Sequence, residues 1–238
     1  MRHQPRRWTT TLTALAMLLG LSVLGEGVVA AAKPPKASST CYRLDGTSGP
    51  ATIVLDPGHG GSDPGAINDT YGLIERDLNL VVARRAGELL AATYGYTVAL
   101  TRYDNATALG NSERGEIANA CQAEVFVSVH FNASTDATVN YTQTFWGKRR
   151  KDEAFAQHMN AALWPALEYD TGGNLTNLTN GGTWQFATGS LLQATMPSTL
   201  VETVFLSNAE EAQRLSQDRA RVEQIASAIA GGAAEWVG

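Results

Sequence analysis

The sequence predicts an α/β fold: a single domain on a mostly parallel or mixed sheet of about six strands, flanked by helices. Three observations carry this. From Thr52 onward the chain reads strand, helix, strand, helix, strand, the order that parallel strands need for their crossovers. Val125–Val129 is an unbroken run that is apolar but for Ser128, as expected of a buried strand. The segments between strands carry apolar residues at helical spacing.

Thr52–Leu55 is a short, mostly apolar strand that runs into Asp56-Pro57-Gly58-His59-Gly60-Gly61. Pro57 has no N–H to give a ladder, and the glycines let the chain turn sharply, so His59 is expected at the strand's tip. Ile74–Ala92 reads as a helix with Ile74, Leu78, Val81, Val82, Leu89 and Leu90 on one stripe, and Glu75 falls in its first turn. Tyr96–Thr101 is the next strand. Asn111 or Ser112 can cap a helix that runs to Cys121, with Ile117, Ala118 and Cys121 facing inward. Val125–Val129 follows, with His130 at its end. Tyr141–Gly147 alternates and reads as a strand at an edge. Asp152–Leu167 is a helix with Phe155, Met159, Leu163 and Ala166 on one face; His158 beside them is expected at the surface. The Gly-, Asn- and Thr-rich stretch Thr171–Gly182 reads as a loop. Leu191–Ala194 and Ser198–Thr203 supply more extended chain. Asn208 and Glu211 have capping-box spacing for a short helix, and Val222, Ile225, Ala226 and Ile229 mark a final one.

The 238 residues carry a net charge of -5 and no long basic run, which disfavours nucleic acid as a partner. Residues 1–32 are expected to be a signal peptide. Arg2, Arg6 and Arg7 precede the apolar Leu12–Leu24, and small residues end the segment at Ala30-Ala31-Ala32. The apolar run is shorter than the ~20 residues of a span, so no stable membrane anchor is expected after cleavage. Residues 33–50 read as a leader and 51–238 as the catalytic domain. The product would work as a monomer in the periplasm, the cell wall or outside the cell. Cys41 and Cys121 fit a disulfide or two free thiols, and the sequence does not choose between them.

Glu202 interrupts the apolar run of Leu200–Leu206. A charge there is costly unless it is paired or close to a metal. In an open α/β sheet ligands bind at the C-terminal ends of strands, so His59 and His130 can meet at one rim. Two imidazoles, the Glu75 carboxylate and one position left for water describe a catalytic zinc site, with Glu202 free to act as a base. Singly, each residue has a plainer reading. His59 could be a turn histidine, Glu75 a carboxylate favoured by the helix dipole, His130 a core histidine and Glu202 the partner of an arginine.

DPGHGG, ERDLNL, SVHFNA and MPSTLVETVFLSN, in that order, resemble the zinc-dependent N-acetylmuramoyl-L-alanine amidases of the amidase-3 type, from Thr52 to about the C-terminus. The resemblance implies His59, Glu75 and His130 as zinc ligands and Glu202 as the acid–base residue. It implies peptidoglycan as substrate, cut between the lactyl group of N-acetylmuramic acid and L-alanine. Arg102 in LTRYD and Arg114 in SERGEIAN stand at family-like positions and read as salt-bridge residues. Asp56 would shape the turn or orient His59, and Asn132 would contact substrate or hold its loop. Val204 replaces the usual glycine, and Gln193 replaces a common arginine, which bears on contacts to the peptide stem. Little chain remains between His130 and Glu202 for the helical cover of some members, so constitutive activity is expected. The other readings are an exported zinc peptidase acting on peptide stems, and a wall-binding module that holds zinc without catalysis. A purely structural site, however, calls for a fourth ligand rather than a free base.

Overall fold

The computed structural model describes residues 41–168, 177–217 and 219–238. The expected signal peptide at 1–32 lies outside them. The chain runs β1 (Ile53–Pro57), β2 (Ile67–Asn68), β3 (Leu73–Ile74), α1 (Glu75–Tyr94), β4 (Val98–Leu100), α2 (Asn111–Ala120) and β5 (Val125–Asn132). It continues through β6 (Tyr141–Trp146), α3 (Arg150–Glu168), β7 (Thr179–Gln185), α4 (Gly189–Gln193), β8 (Ser198–Phe205), α5 (Ala209–Gln217) and α6 (Arg219–Val237). Six strands form one sheet in the order β4-β1-β5-β8-β6-β7, and β2 and β3 pair apart from it. The first four strands in that order are mutually parallel; β6 runs antiparallel to β8, and β7 parallel to β6. The sheet is therefore mixed.

Alternation along the strands separates two layers. Ile53, Leu55, Val127, Val129 and Val201 join Val82, Leu90, Phe155, Met159, Ile225 and Ile229 of α1, α3 and α6 in one buried cluster. Val54, Phe126 and Leu200 point the other way, into a smaller cluster with Ala118, Leu191 and Met196. Among the described residues, α2 and the short α4 are the helices that cover this second face. By the same parity Ser128 and His130 follow Phe126 onto it.

Several elements depart from their sequence reading. Leu191–Ala194 is not extended: Leu191–Gln193 belong to α4, with Leu192 N–H donating to Thr188 O at 3.0 Å. The sheet's edge strand is instead β7, which begins in the stretch read as a loop, whose residues 171–176 lie outside those described. Its Gly181-Gly182 sits at an irregular register beside Thr142 and Gln143, and no hydrophobic alternation marks an exposed edge. Consequently β6 lies inside the sheet rather than at its edge. Ile74 belongs to β3, and α1 starts at Glu75. Val81 is 52% exposed, and the buried side of α1 is Asn79, Val82, Ala83, Ala86 and Leu90. Gly110, not Asn111 or Ser112, caps α2, with its N–H donating to Glu113 at 2.7 Å. Asn208 Oδ1 does accept from Glu211 N–H at 3.2 Å, but the Glu211 carboxylate turns away to Arg221. His158 is half-buried rather than fully at the surface: its Nε2 donates to Gly232 O at 2.9 Å and its ring packs on Trp236, joining α3 to α6.

The leader is docked where it is described. Leu44 N–H donates to Val98 O at 2.8 Å, and Arg43 bridges Ala99, which covers the open edge of β4. Cys41 and Cys121 form a disulfide across a separation of 80 positions, buried in the second-face cluster. Replacing both by serine should lower stability by about 2–4 kcal/mol, read by denaturant unfolding, with metal binding retained. Among the described residues no helix is long and apolar enough to cross a membrane.

Candidate metal centre

β1 delivers His59 one turn beyond Pro57, in the left-handed region at φ 62. Such a backbone is unfavourable for a side-chain-bearing residue and persists only where its surroundings hold it. Two arginines do so. The carbonyls of this turn have left the sheet ladder and need donors. Arg102 reaches Pro57 O and Gly58 O, both at 2.9 Å, and Arg114 reaches Pro57 O at 2.9 Å and His59 O at 2.7 Å. Arg114 also pairs with Asp56 at 2.8 Å. Arg102 donates to carbonyls and an amide rather than to a carboxylate, so the salt-bridge reading holds for Arg114 and not for Arg102.

Asp56 does not orient His59. It is fully buried and accepts from Arg114, Ser128 and Thr101. Burial opposes its ionisation, yet Arg114 and the two hydroxyls outweigh that and hold its pKa below the usual carboxylate value. Asp63 orients the imidazole instead, with its Oδ2 2.8 Å from His59 Nδ1, leaving Nε2 directed inward. Burial works against protonation of His59, but Glu75 and Asp63 raise its pKa overall.

Glu75 is the first residue of α1, packed so that its side chain retains only 5% of its exposure. His59 Nε2 lies 2.9 Å from its Oε1, and His130 Nδ1 lies 3.0 Å from the same atom. Oε2 accepts from Ala66 N–H at 2.8 Å. Burial disfavours the Glu75 charge, but the two imidazoles more than offset it, and its pKa is strongly lowered. One donor atom from each of His59, Glu75 and His130 lies within 4.8 Å of the others. Tetrahedral bonds of zinc length would set such donors roughly 3.3 Å apart. Two imidazoles and a carboxylate are a donor set that suits zinc, and His59 and His130 keep 22% and 17% of their side-chain exposure toward the cleft. The three residues read from the sequence as ligands thus meet at one point and fit one ion.

Glu202 pairs with His130 in register on the neighbouring strand and lines the same cleft. Its Oε2 is buried with no hydrogen-bond partner. Burial raises its pKa to about 7; Glu75 adds to the rise, and His130 and His59 oppose it. Just beyond Glu202 the register shifts, so that Asn132 faces Phe205. Bulges of this kind sit beside functional sites and turn side chains from one face to the other. Here the shift sends Val204, at the usual glycine position, into the main core. Asn132 holds its own loop, with Oδ1 accepting from Ala133 N–H at 2.8 Å, while also lining the cleft. Gln193 is exposed on α4 and is not among the cleft's lining residues.

Sequence reasoning missed three contributors. Asp63 lies in Ser62-Asp63-Pro64-Gly65, a stretch of turn-favouring residues. Asn79 sits one turn along α1, its Nδ2 3.3 Å from Gly58 O and 3.5 Å from Glu75 Oε1. Gly58 gives the His130 ring its room, because a Cβ there would lie 2.1 Å from His130 Cε1. Gly58→Ala should therefore displace His130 and weaken metal affinity at least as much as loss of a supporting contact does, about 10–100-fold, read by competition with a zinc indicator.

A family model for N-acetylmuramoyl-L-alanine amidases matches residues 53–235. The N-acetylmuramoyl-L-alanine amidase LytC of Bacillus subtilis is 29% identical over 205 residues, covering 86% of this chain and 39% of that protein. The germination-specific N-acetylmuramoyl-L-alanine amidase of the same organism is 30% identical over 191 residues, 74% of this chain and 76% of that one. The chain thus spans well under half the length of LytC. The catalytic domain of CwlV, an N-acetylmuramoyl-L-alanine amidase from Bacillus (Paenibacillus) polymyxa var. colistinus, superposes with a TM-score of 0.68 at 33% identity, covering 77% of this chain and 96% of that domain.

Proposed function

Since the chain belongs to the N-acetylmuramoyl-L-alanine amidase family, we propose that it hydrolyses peptidoglycan at the amide between N-acetylmuramic acid and L-alanine, with zinc held by His59, Glu75 and His130. The observation that carries this reading is the convergence of those three donors beside a buried Glu202 oxygen that has no partner. When bound, zinc supplies Lewis acidity toward water and the scissile carbonyl.

The side chains do the rest. Asp63 keeps His59 Nδ1 occupied, so that Nε2 is the ligating nitrogen. Glu202 accepts the proton of the attacking water and then delivers it to the amide nitrogen, which leaves poorly until protonated. The C–N bond breaks, the lactyl carbon keeps the water oxygen as a carboxylate, and the stem departs with a free amine. A carboxyl group that burial brings to about pH 7 can serve both halves of that cycle.

The enzyme works outside the cytoplasm as a monomer. The Cys41–Cys121 bridge supports an oxidising compartment. The chain between His130 and Glu202 is largely taken up by β6, α3, β7 and α4, which supports activity without removal of a cover. Treatment with a chelator should abolish hydrolysis of a muramoyl-peptide, and about one equivalent of zinc should restore it. Full turnover by protein that elemental analysis finds free of metal would remove zinc from this account.

A further inference from the structure

We propose that Trp184 and Phe186 form a stacking platform for the glycan strand of the substrate, beyond the muramic acid whose amide is cut. This rests on the amidase reading above. Strand pairing lays two rows of side chains across the second face of the sheet, the one that carries the cleft. One row is His130, Glu202, Gln143 and Gly182, and its neighbour is Ser128, Leu200, Phe145 and Trp184. The catalytic row thus continues outward to the edge strand and ends on a glycine with no side chain to block it.

The indole is fixed beside that gap. Trp184 Nε1 donates to Gly181 O at 2.8 Å and lies 4.0 Å from where a Cβ on Gly182 would stand. Its N–H is already satisfied, so what it offers to a ligand is its ring. Trp184 is 61% exposed and Phe186 51% exposed. Phe186 packs on Phe145 with ring centroids 5.6 Å apart and also lines the metal cleft, which makes platform and cleft continuous. Two fixed aromatic rings left open to water are unfavourable in the free protein and mark a surface that something covers.

Charge selects the occupant. Beyond Glu202 both rows are neutral, which suits a sugar with an apolar C–H face and amide or hydroxyl groups at its rim. The peptide stem is charged, and the cleft's other charged lining residues, Asp63, Glu75 and Arg114, lie on the far side, with the turn after β1, α1 and α2. Trp184 stands two strands from β8, about 10 Å away at the usual spacing, within reach of a sugar next to the one being cut. The basic run Lys148–Arg150 is exposed beyond Gly147 and lies outside both rows.

The test uses the zinc-loaded protein. A peptide-free oligosaccharide of alternating N-acetylglucosamine and N-acetylmuramic acid should bind the wild type and should bind W184A/F186A about tenfold more weakly, with most affinity kept in Trp184→Phe. The ratio of kcat/KM for a long-glycan substrate to that for a single-sugar muramoyl-peptide should fall by a similar factor. An unchanged ratio and affinity would overturn the platform. So would loss of affinity for free stem peptide in place of glycan, or glycan binding that high salt abolishes in every variant. Hydrolysis of the single-sugar substrate by the wild type tests the amidase reading separately.

Discussion

Glu202→Gln should reduce turnover on a muramoyl-peptide by about 10²–10⁴-fold while leaving zinc content near the wild-type level. The variant keeps the side chain's size and removes its ability to move a proton. Glu202 stands on β8 beside His130, outside the triad whose donor atoms converge, so its loss should not empty the site. Thermal stability should hold or rise slightly, because a buried group with an unpartnered oxygen no longer has to carry charge. The pH profile should change as well. The raised pKa of Glu202, about 7 before any bound cation pulls it down, means that the carboxylate takes up its proton as pH falls through that value. Wild-type kcat/KM should therefore decline on the acid side, and Glu202→Gln should lose that limb along with its rate. Lost zinc would instead make Glu202 a ligand, and normal turnover would leave it structural.

His130→Ala should lose metal and activity together. The imidazole is one of three candidate donors, and β5 sets its Nδ1 3.0 Å from Glu75 Oε1. Removing a ligand should weaken zinc binding by more than the 10–100-fold typical of a supporting partner. The fold should survive, since His130 points into the cleft and the main core draws on the alternate residues Val127, Val129 and Phe131. Elemental analysis of the purified variant, with circular dichroism as the control for folding, checks both statements. Full zinc occupancy in His130→Ala would contradict the ligand assignment.

The four candidate site residues stand out in sequence because each sits where the chain is punctuated. His59 follows a proline in a glycine-rich turn, Glu75 opens a helix, and His130 and Glu202 break apolar runs in which an isolated charge is costly. The supporting residues carried no such mark. Asp63 lies in a turn where aspartate is common for local reasons. Asn79 reads as one more polar residue in a helix, and only the approach of α1 to the turn after β1 buries it. The same holds for β7: its edge position leaves Thr179–Gln185 without a hydrophobic face to announce a strand, while five residues of α4 are too few for a helical period to show. Arg102 could not be told from Arg114 in sequence, because its role depends on carbonyls that leave the ladder more than forty residues upstream. The disulfide was undecidable for a related reason, since nothing local to Cys41 or Cys121 records their meeting at a Cα separation of 4.8 Å.

The central claim is that this site cuts one bond, and product analysis tests it most directly. Purified peptidoglycan fragments incubated with the zinc-loaded protein should yield, by mass spectrometry, intact peptide stems with a free amino-terminal L-alanine and glycans bearing free lactyl carboxylates. Stems shortened by a terminal amino acid but still joined to muramic acid would contradict the account and make the protein a peptidase.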